Sequence, residues 1–166
     1  MNSAAAMQED LSANPGETGQ FLTFILAQEE YGVEILRVQE IRGWSKVTPL
    51  PNSPEHLKGV INLRGTIVPI IDLRERFYME SLDYGSTTVV IVVRIEAGDK
   101  ERIMGLVVDA VSEVYTLSND QCQAPPEFGG KLEDRFVKAL ASVEEKMIIL
   151  LDVDAFLTDD VQRSLN

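Results

Sequence analysis

Two stretches of this chain lie on two others without a gap. Tyr31-Gly32-Val33-Glu34-Ile35-Leu36-Arg37-Val38-Gln39-Glu40-Ile41 falls on Met104-Gly105-Leu106-Val107-Val108-Asp109-Ala110-Val111-Ser112-Glu113-Val114, an offset of 73 residues. A Gly, a Val and a Glu coincide, with apolar residues between them. Ile67-Val68-Pro69-Ile70-Ile71-Asp72-Leu73 falls likewise on Met147-Ile148-Ile149-Leu150-Leu151-Asp152-Val153, at an offset of 80. Chance alternation of apolar residues explains the periodicity but not the coincident Gly and Glu. A duplicated unit of short strands predicts two small barrels related by a pseudo-twofold axis. The wholly apolar run Val89 to Val93, inside a predicted strand from Thr87 to Ile95, needs cover on both faces. It is expected where the two barrels pack.

Within the first unit, Gly59 to Leu73 reads as a hairpin. Val60 to Leu63 is one strand, Arg64-Gly65-Thr66 the turn and Ile67 to Ile71 the return. Side chains alternate along a strand, so Ile61 and Leu63 face one way while Asn62 and Arg64 face the other. No other charge stands between Gly59 and Ile71. A guanidinium set on such an element offers a flat fork of donors for carboxylates and carbonyls; a solvated charge beside a turn is the plainer reading. Pro69 cannot donate a ladder hydrogen bond, which places the return strand at a sheet edge or a bulge, bordering something other than sheet.

The remaining elements follow from turn and cap chemistry. Residues 1–19 form a polar lead-in, read as a flexible tail. Phe21 to Ala27 is a strand, turned by Glu29-Glu30-Tyr31-Gly32. Val33 to Ile41 follows as a strand with a bulge between Ile35 and Val38, or as a helix, since the spacing of three suits both. Thr48 to Pro54 is a rigid loop, and Ser53-Pro54-Glu55 reads as a capped helix entry. Asp72-Leu73-Arg74-Glu75 opens a short helix to Phe77. In the second half, a loop at Gly98 to Glu101 precedes a strand from Arg102 to Val108. Ala124 to Gly130 is a second rigid loop. Met147 to Leu151 is a strand, and Asp152 begins an amphipathic C-terminal helix carrying Phe156, Leu157, Val161 and Leu165. The organisation is a tail, a domain over 20–158 (first barrel about 20–84, second about 85–158, with strands free to exchange), and a helix end or tail over 159–166.

Charge narrows the function. The net charge of −12 argues against nucleic acid, whose binding draws on basic side chains, and against direct docking on an anionic membrane. No apolar run approaches a membrane span and no secretory signal is visible. The single cysteine, Cys122, can make no internal disulfide and has no neighbouring group to activate it. Asp152, Asp154 and Asp159-Asp160 invite a metal-assisted hydrolase reading, but helix capping accounts for them without a converging histidine. His56, the one histidine, reads as a surface residue. Trp44 either caps a barrel end or anchors a partner.

Taken together, Glu30-Tyr31-Gly32, Ile35 to Gly43, the Lys58 to Leu73 hairpin with its Asn-Leu-Arg-Gly turn, Gly105 to Val114 and Pro125-Pro126-Glu127-Phe128 resemble the chemotaxis coupling protein (CheW) family, over about Phe21 to Leu157. The resemblance implies a mostly β fold: two intertwined, pseudo-twofold-related five-stranded SH3-like barrels with short helices and a C-terminal helix. It implies a non-enzymatic adaptor, without cofactor or metal, that joins a chemotaxis histidine kinase (CheA), through its regulatory domain, to the cytoplasmic tips of methyl-accepting receptors. Such a protein is cytoplasmic and recruited to membrane-associated receptor arrays, with no direct membrane insertion and no nucleic-acid partner. The matching receptor-binding positions are Val38, Glu40, Gly59, Asn62, Arg64 and Val89, in a groove between the barrels. Glu40 and Arg64 are then a candidate ion pair that orients the guanidinium. The loop at Ala97 to Glu101 is longer than the family's usual hairpin.

Overall fold

The computed structural model describes residues 18–125 and 136–158. Of the tail expected over 1–19, residues 1–17 lie outside these residues, as do most of the second rigid loop (126–130) and Val161 and Leu165 of the C-terminal segment. Thr18 and Gly19 are not tail but open the first strand, where they pair with Ser118 and Leu117. The strands are β1 (Thr18–Leu26), β2 (Glu29–Glu34), β3 (Val38–Gly43), β4 (Leu57–Leu63), β5 (Thr66–Asp72), β6 (Val89–Ala97), β7 (Lys100–Val108), β8 (Ala110–Ser118), β9 (Cys122–Gln123), β10 (Val137–Val143) and β11 (Lys146–Leu151). They form two curled sheets with orders β8-β1-β2-β11-β10-β9 and β3-β6-β7-β5-β4.

The two orders are the same order. Carrying the two sequence offsets over, β1 corresponds to β6, β2 to β7, β3 to β8, β4 to β10 and β5 to β11. Apart from the two-residue β9, each sheet then holds two strands from one half of the chain and three from the other. The mixing shows in the two parallel ladders. β5 runs beside β7 with Ile70 opposite Gly105, and β11 runs beside β2 with Leu150 opposite Gly32. Ile70 and Leu150 are repeat equivalents, as are Gly32 and Gly105. Both glycines are there for close approach: a Cβ on Gly105 would lie 2.6 Å from Ile70 Cδ1, and one on Gly32 3.0 Å from Leu150 Cδ2. The small sixth strand has its counterpart too. Gln123 faces Leu140 in β9–β10, and Thr48 faces Val60 in an isolated bridge. The architecture is mostly β, two intertwined SH3-like barrels of five principal strands each, with short helices.

Burial explains why the strands are apolar on both faces. In β6, Val90 and Val92 enter the interior of one barrel beside Leu63, Val68 and Ile70. Ile91, Val93 and Ile95 face the opposite way, into a larger core shared with Phe24, Leu26, Tyr31 and Val33 of the other sheet. The second barrel has its own interior around Phe21, Leu117, Ile148 and Leu150. Area removed from water scales with stabilisation, so this shared seam, rather than either small barrel, carries the largest apolar contribution.

Several local expectations need correction. The first turn is at Ala27-Gln28, since Leu26 pairs with Glu29, and both turn residues have positive φ (50° and 72°). That handedness matches strand twist but is usually supplied by Asn-Gly, so the sequence concealed it; Gly32 is a strand residue. The break between Ile35 and Val38 is a 3-10 turn over Ile35–Arg37 that joins two strands, neither simple bulge nor helix. No helix follows Ser53: its Oγ donates to Leu50 O at 2.9 Å, and residues 55–56 form a turn leading into β4. β5 is not an edge strand. It is flanked by β4 and β7, and Pro69 is tolerated because the parallel ladder begins one residue later, at Ile70. The 97–101 loop is a two-residue turn at Gly98-Asp99, with Ala97, Lys100 and Glu101 in lengthened strands.

The two helices are as expected. α1 (Leu73–Arg76) is capped by Asp72, whose carboxylate accepts from Glu75 N, and in α2 (153–158) Asp152 Oδ1 accepts from Ala155 N. Each helix makes a two-pronged ion pair at a point where the chain crosses between sheets. Arg74 Nε and Nη2 donate to Asp109 Oδ1 and Oδ2 at 2.8 and 2.7 Å, at the β7–β8 junction. Arg37 Nη1 and Nη2 donate to Asp154 Oδ1 and Oδ2 at 3.1 and 2.7 Å, at the β2–β3 junction. Asp154 is thereby accounted for without a metal. Ala27 N also donates to Asp109, at 2.9 Å.

Burial alone would raise the Asp109 pKa, but the hydrogen bonds from Arg74 and Ala27 outweigh it and hold the carboxyl below its ordinary value of 3.8. A depressed carboxylate stabilises the folded state above the unfolded pKa, and that contribution disappears as pH falls through the folded pKa. Asp109→Asn is therefore expected to lower stability at pH 7, with the gap to wild type closing below about pH 4. Urea denaturation at stepped pH checks this; a gap independent of pH would contradict it.

Candidate functional site

All six sequence-derived positions lie on the sheet β3-β6-β7-β5-β4. Val38 and Glu40 are on β3, Val89 begins β6, Gly59 and Asn62 are on β4, and Arg64 is in the β4–β5 turn. β3 and β4 are the two outer strands of that order, yet Arg64 Nη2 donates to Glu40 Oε1 at 2.6 Å. The expected ion pair is formed, and it bridges the two margins of the curled sheet.

The hairpin tip is fixed by its backbone. Leu63 pairs with Thr66, leaving Arg64 (φ 51°) and Gly65 (φ 92°) as a two-residue turn of the strand-matching hand. Asn62 Oδ1 accepts from Gly65 N at 2.8 Å, so the Asn carbonyl builds the turn. The Arg64 side chain is 73% exposed whereas that of Glu40 is 28% exposed. The carboxylate is thus the anchored member and the guanidinium the presented one. Glu40 Oε2 also lies 3.6 Å from Arg42 Nη1, so one carboxylate serves two arginines. The residue alternation that singled out Asn62 and Arg64 gave no sign of Arg42. Ile67, opposite Asn62, adds exposed apolar surface.

Val38 and Val89 are half-buried and support the shared core. They shape the strands that carry Glu40 and Arg42, with Val38 opposite Val93 and Val89 opposite Gly43. Gly59 is buried with φ +148°, and a Cβ there would run into the Thr48 carbonyl. It lets the preceding loop close on β4 through Thr48 N to Val60 O (3.0 Å) and Val60 N to Thr48 O (2.9 Å). Beside this loop Trp44 packs on the barrel interior, its ring 4.3 Å from that of Tyr84. Trp44 therefore caps the barrel. The Tyr84 hydroxyl donates to Asp72, and burial followed by this carboxylate raises its pKa.

On the other barrel, burial pushes the Cys122 thiol upward, the opposite of an activated nucleophile. Among the described residues, no cluster of His, Cys, Asp and Glu could hold a metal, and no helix is long and apolar enough to cross a membrane.

Two interlocked small barrels thus present a charged hairpin, with no metal cluster among the described residues. Residues 20–161 match the family model of the CheW-like domain. The chain is 46% identical over 147 residues to chemotaxis protein CheW of Klebsiella aerogenes, covering 87% of this chain and 86% of that protein. It is 36% identical over 148 residues to a probable chemotaxis protein CheW of Rhizobium etli, covering 89% and 92%. The crystal structure of the scaffolding protein TtCheW from Thermoanaerobacter tengcongensis superposes with a TM-score of 0.75 at 33% identity, over 87% of this chain and 93% of that one. The chain belongs to the CheW family and is a CheW-type chemotaxis scaffold protein.

Gly59→Ala is expected to cost about 2 kcal/mol or more of folding stability, because both its φ and the Thr48 carbonyl oppose a side chain. Thermal denaturation beside partner binding checks this. Full stability with lost binding would mean that Gly59 contacts the partner rather than shaping the loop.

Proposed function

We propose that this protein is a cytoplasmic, non-enzymatic adaptor that couples methyl-accepting receptors to the regulatory domain of a chemotaxis histidine kinase in receptor arrays. The observation that carries this reading is the exposed Arg64 guanidinium, held over Glu40 at the tip of a rigid hairpin. Family membership supplies the chemotactic context. Val38, Glu40, Asn62, Arg64 and Val89, with Gly59 shaping the loop behind them, form the receptor-binding region. A helical hairpin from a receptor tip, docked across the β3 and β4 margins of this sheet, would offer carboxylates and helix-end carbonyls to the fork of Arg64. Other surfaces of the barrels remain for the kinase, and the individual contacts gain strength from multivalency in the array.

An exposed ion pair contributes only about 0–1 kcal/mol to folding, so its removal separates binding from stability. Arg64→Ala and Glu40→Ala are expected to weaken binding of a receptor-tip fragment several-fold in titration calorimetry while leaving the melting curve near that of wild type. Receptor affinity equal to wild type for both variants would reject the assigned site. A pulldown with the kinase regulatory domain and the receptor-tip fragment, each alone and then together, tests the bridging role. Simultaneous capture is expected, and mutual exclusion would leave a ligand of each rather than a bridge.

A further inference from the structure

The ion pairs Arg74–Asp109 and Arg37–Asp154 occupy matching places in the two barrels with their polarity reversed. Arg74 of α1 and Asp154 of α2 are repeat equivalents, and Arg37 and Asp109 fall within one residue of equivalence at the two sheet crossings. The surroundings match as well. Asp109 accepts from Ala27 N at 2.9 Å, at the end of β1, and Asp154 accepts from Glu96 N at 2.8 Å, near the end of β6. Each place therefore holds one carboxylate for a backbone N–H and one guanidinium to neutralise it. At one place the helix supplies the arginine, and at the other it supplies the aspartate.

We propose that this arrangement decides which half of the chain pairs with which. Both arginines come from the N-terminal half (β1–α1) and both aspartates from the C-terminal half (β6–α2). The two sheets have one strand order, so a half from one molecule could in principle interlock with the same half of a second copy of this chain. Two N-terminal halves would then set Arg37 against Arg74 at both places and leave the Ala27 N–H without a carboxylate. Two C-terminal halves would set Asp109 against Asp154. Both pairs are largely shielded from solvent, with side chains 15–29% exposed, so like charges there would be poorly screened. Specificity of this kind is a difference between one satisfied pairing and two repelled ones.

Charge exchange in the full-length protein separates this role from simple stabilisation. The variant R37D/D154R keeps an opposite pair at both places, each arrangement having its precedent in the other barrel, but also makes pairing between like halves satisfied. The variant R37D/R74D/D109R/D154R keeps both pairs and restores the repulsion. Each protein is unfolded in denaturant, refolded by dilution at increasing concentration, and sized by chromatography with light scattering. Wild type and the fourfold variant are expected to regain the mass distribution of never-unfolded protein. R37D/D154R is expected to melt near wild type yet yield oligomers that grow with concentration, and R74D/D109R, the other mixed variant, is expected to behave the same way. Clean refolding of the mixed variants, or oligomers from the fourfold variant as abundant as theirs, would overturn the proposal. Failure of a mixed variant to fold would overturn it too, because the two places would then not be interchangeable.

Discussion

The structure depends on the apolar seam between two curled sheets. Over residues 89–93, β6 has no polar face: Val90 and Val92 fill one barrel while Ile91 and Val93, with Ile95 beyond them, fill the space between barrels. A small barrel has too little interior to be secure alone, and pooling a second core between two of them answers that limit. Strand exchange follows the same logic. The parallel ladders Ile70–Gly105 and Leu150–Gly32 insert strands from one half into the sheet of the other, so neither half can leave without breaking both. The glycines at those ladders are the visible trace of this constraint, because a Cβ there would crowd the facing aliphatic side chain and force it to shift.

That scaffold explains how a hairpin tip is held in place. The β4–β5 turn is held by backbone geometry, by the Asn62 carbonyl and by a strand locked between two neighbours. Folding thus sets the backbone that carries Arg64, while its exposed guanidinium rests on Glu40 at 2.6 Å. Glu40 completes the arrangement from the opposite margin of the sheet. With Arg42 at its second oxygen, it forms a small charged array in a protein whose overall charge is strongly negative. This array is set by local geometry, and net charge describes only the background against which it stands.

Much of this was legible in the sequence because it depends on pattern. The repeat offsets mapped directly onto matching strands, the uniformly apolar strand lay at the seam, and Asp72 and Asp152 capped their helices. What stayed hidden depends on three-dimensional placement. Ala27 and Gln28 form a left-handed turn with neither residue type that advertises one. Pro69 suggested an edge, and only the ladder's starting point at Ile70 shows how the strand can be central. Ser53 and Pro54 carried a helix signature with no room for a helix before β4. At the site, alternation exposed Asn62 and Arg64, but the turn-building role of Asn62 and the place of Arg42 beside Glu40 emerged only from side-chain geometry. The crossing ion pairs join residues 35 and 117 positions apart, a distance at which no local spacing rule operates.

The most direct test of the central claim is a map of backbone amide chemical shifts in the full-length protein as a receptor-tip fragment is added. The perturbed amides are expected to gather at residues 38–42, 62–66 and 89, one patch on the sheet β3-β6-β7-β5-β4. Perturbations confined to β8, β9 and β10, with the Arg64 hairpin unmoved, would contradict it.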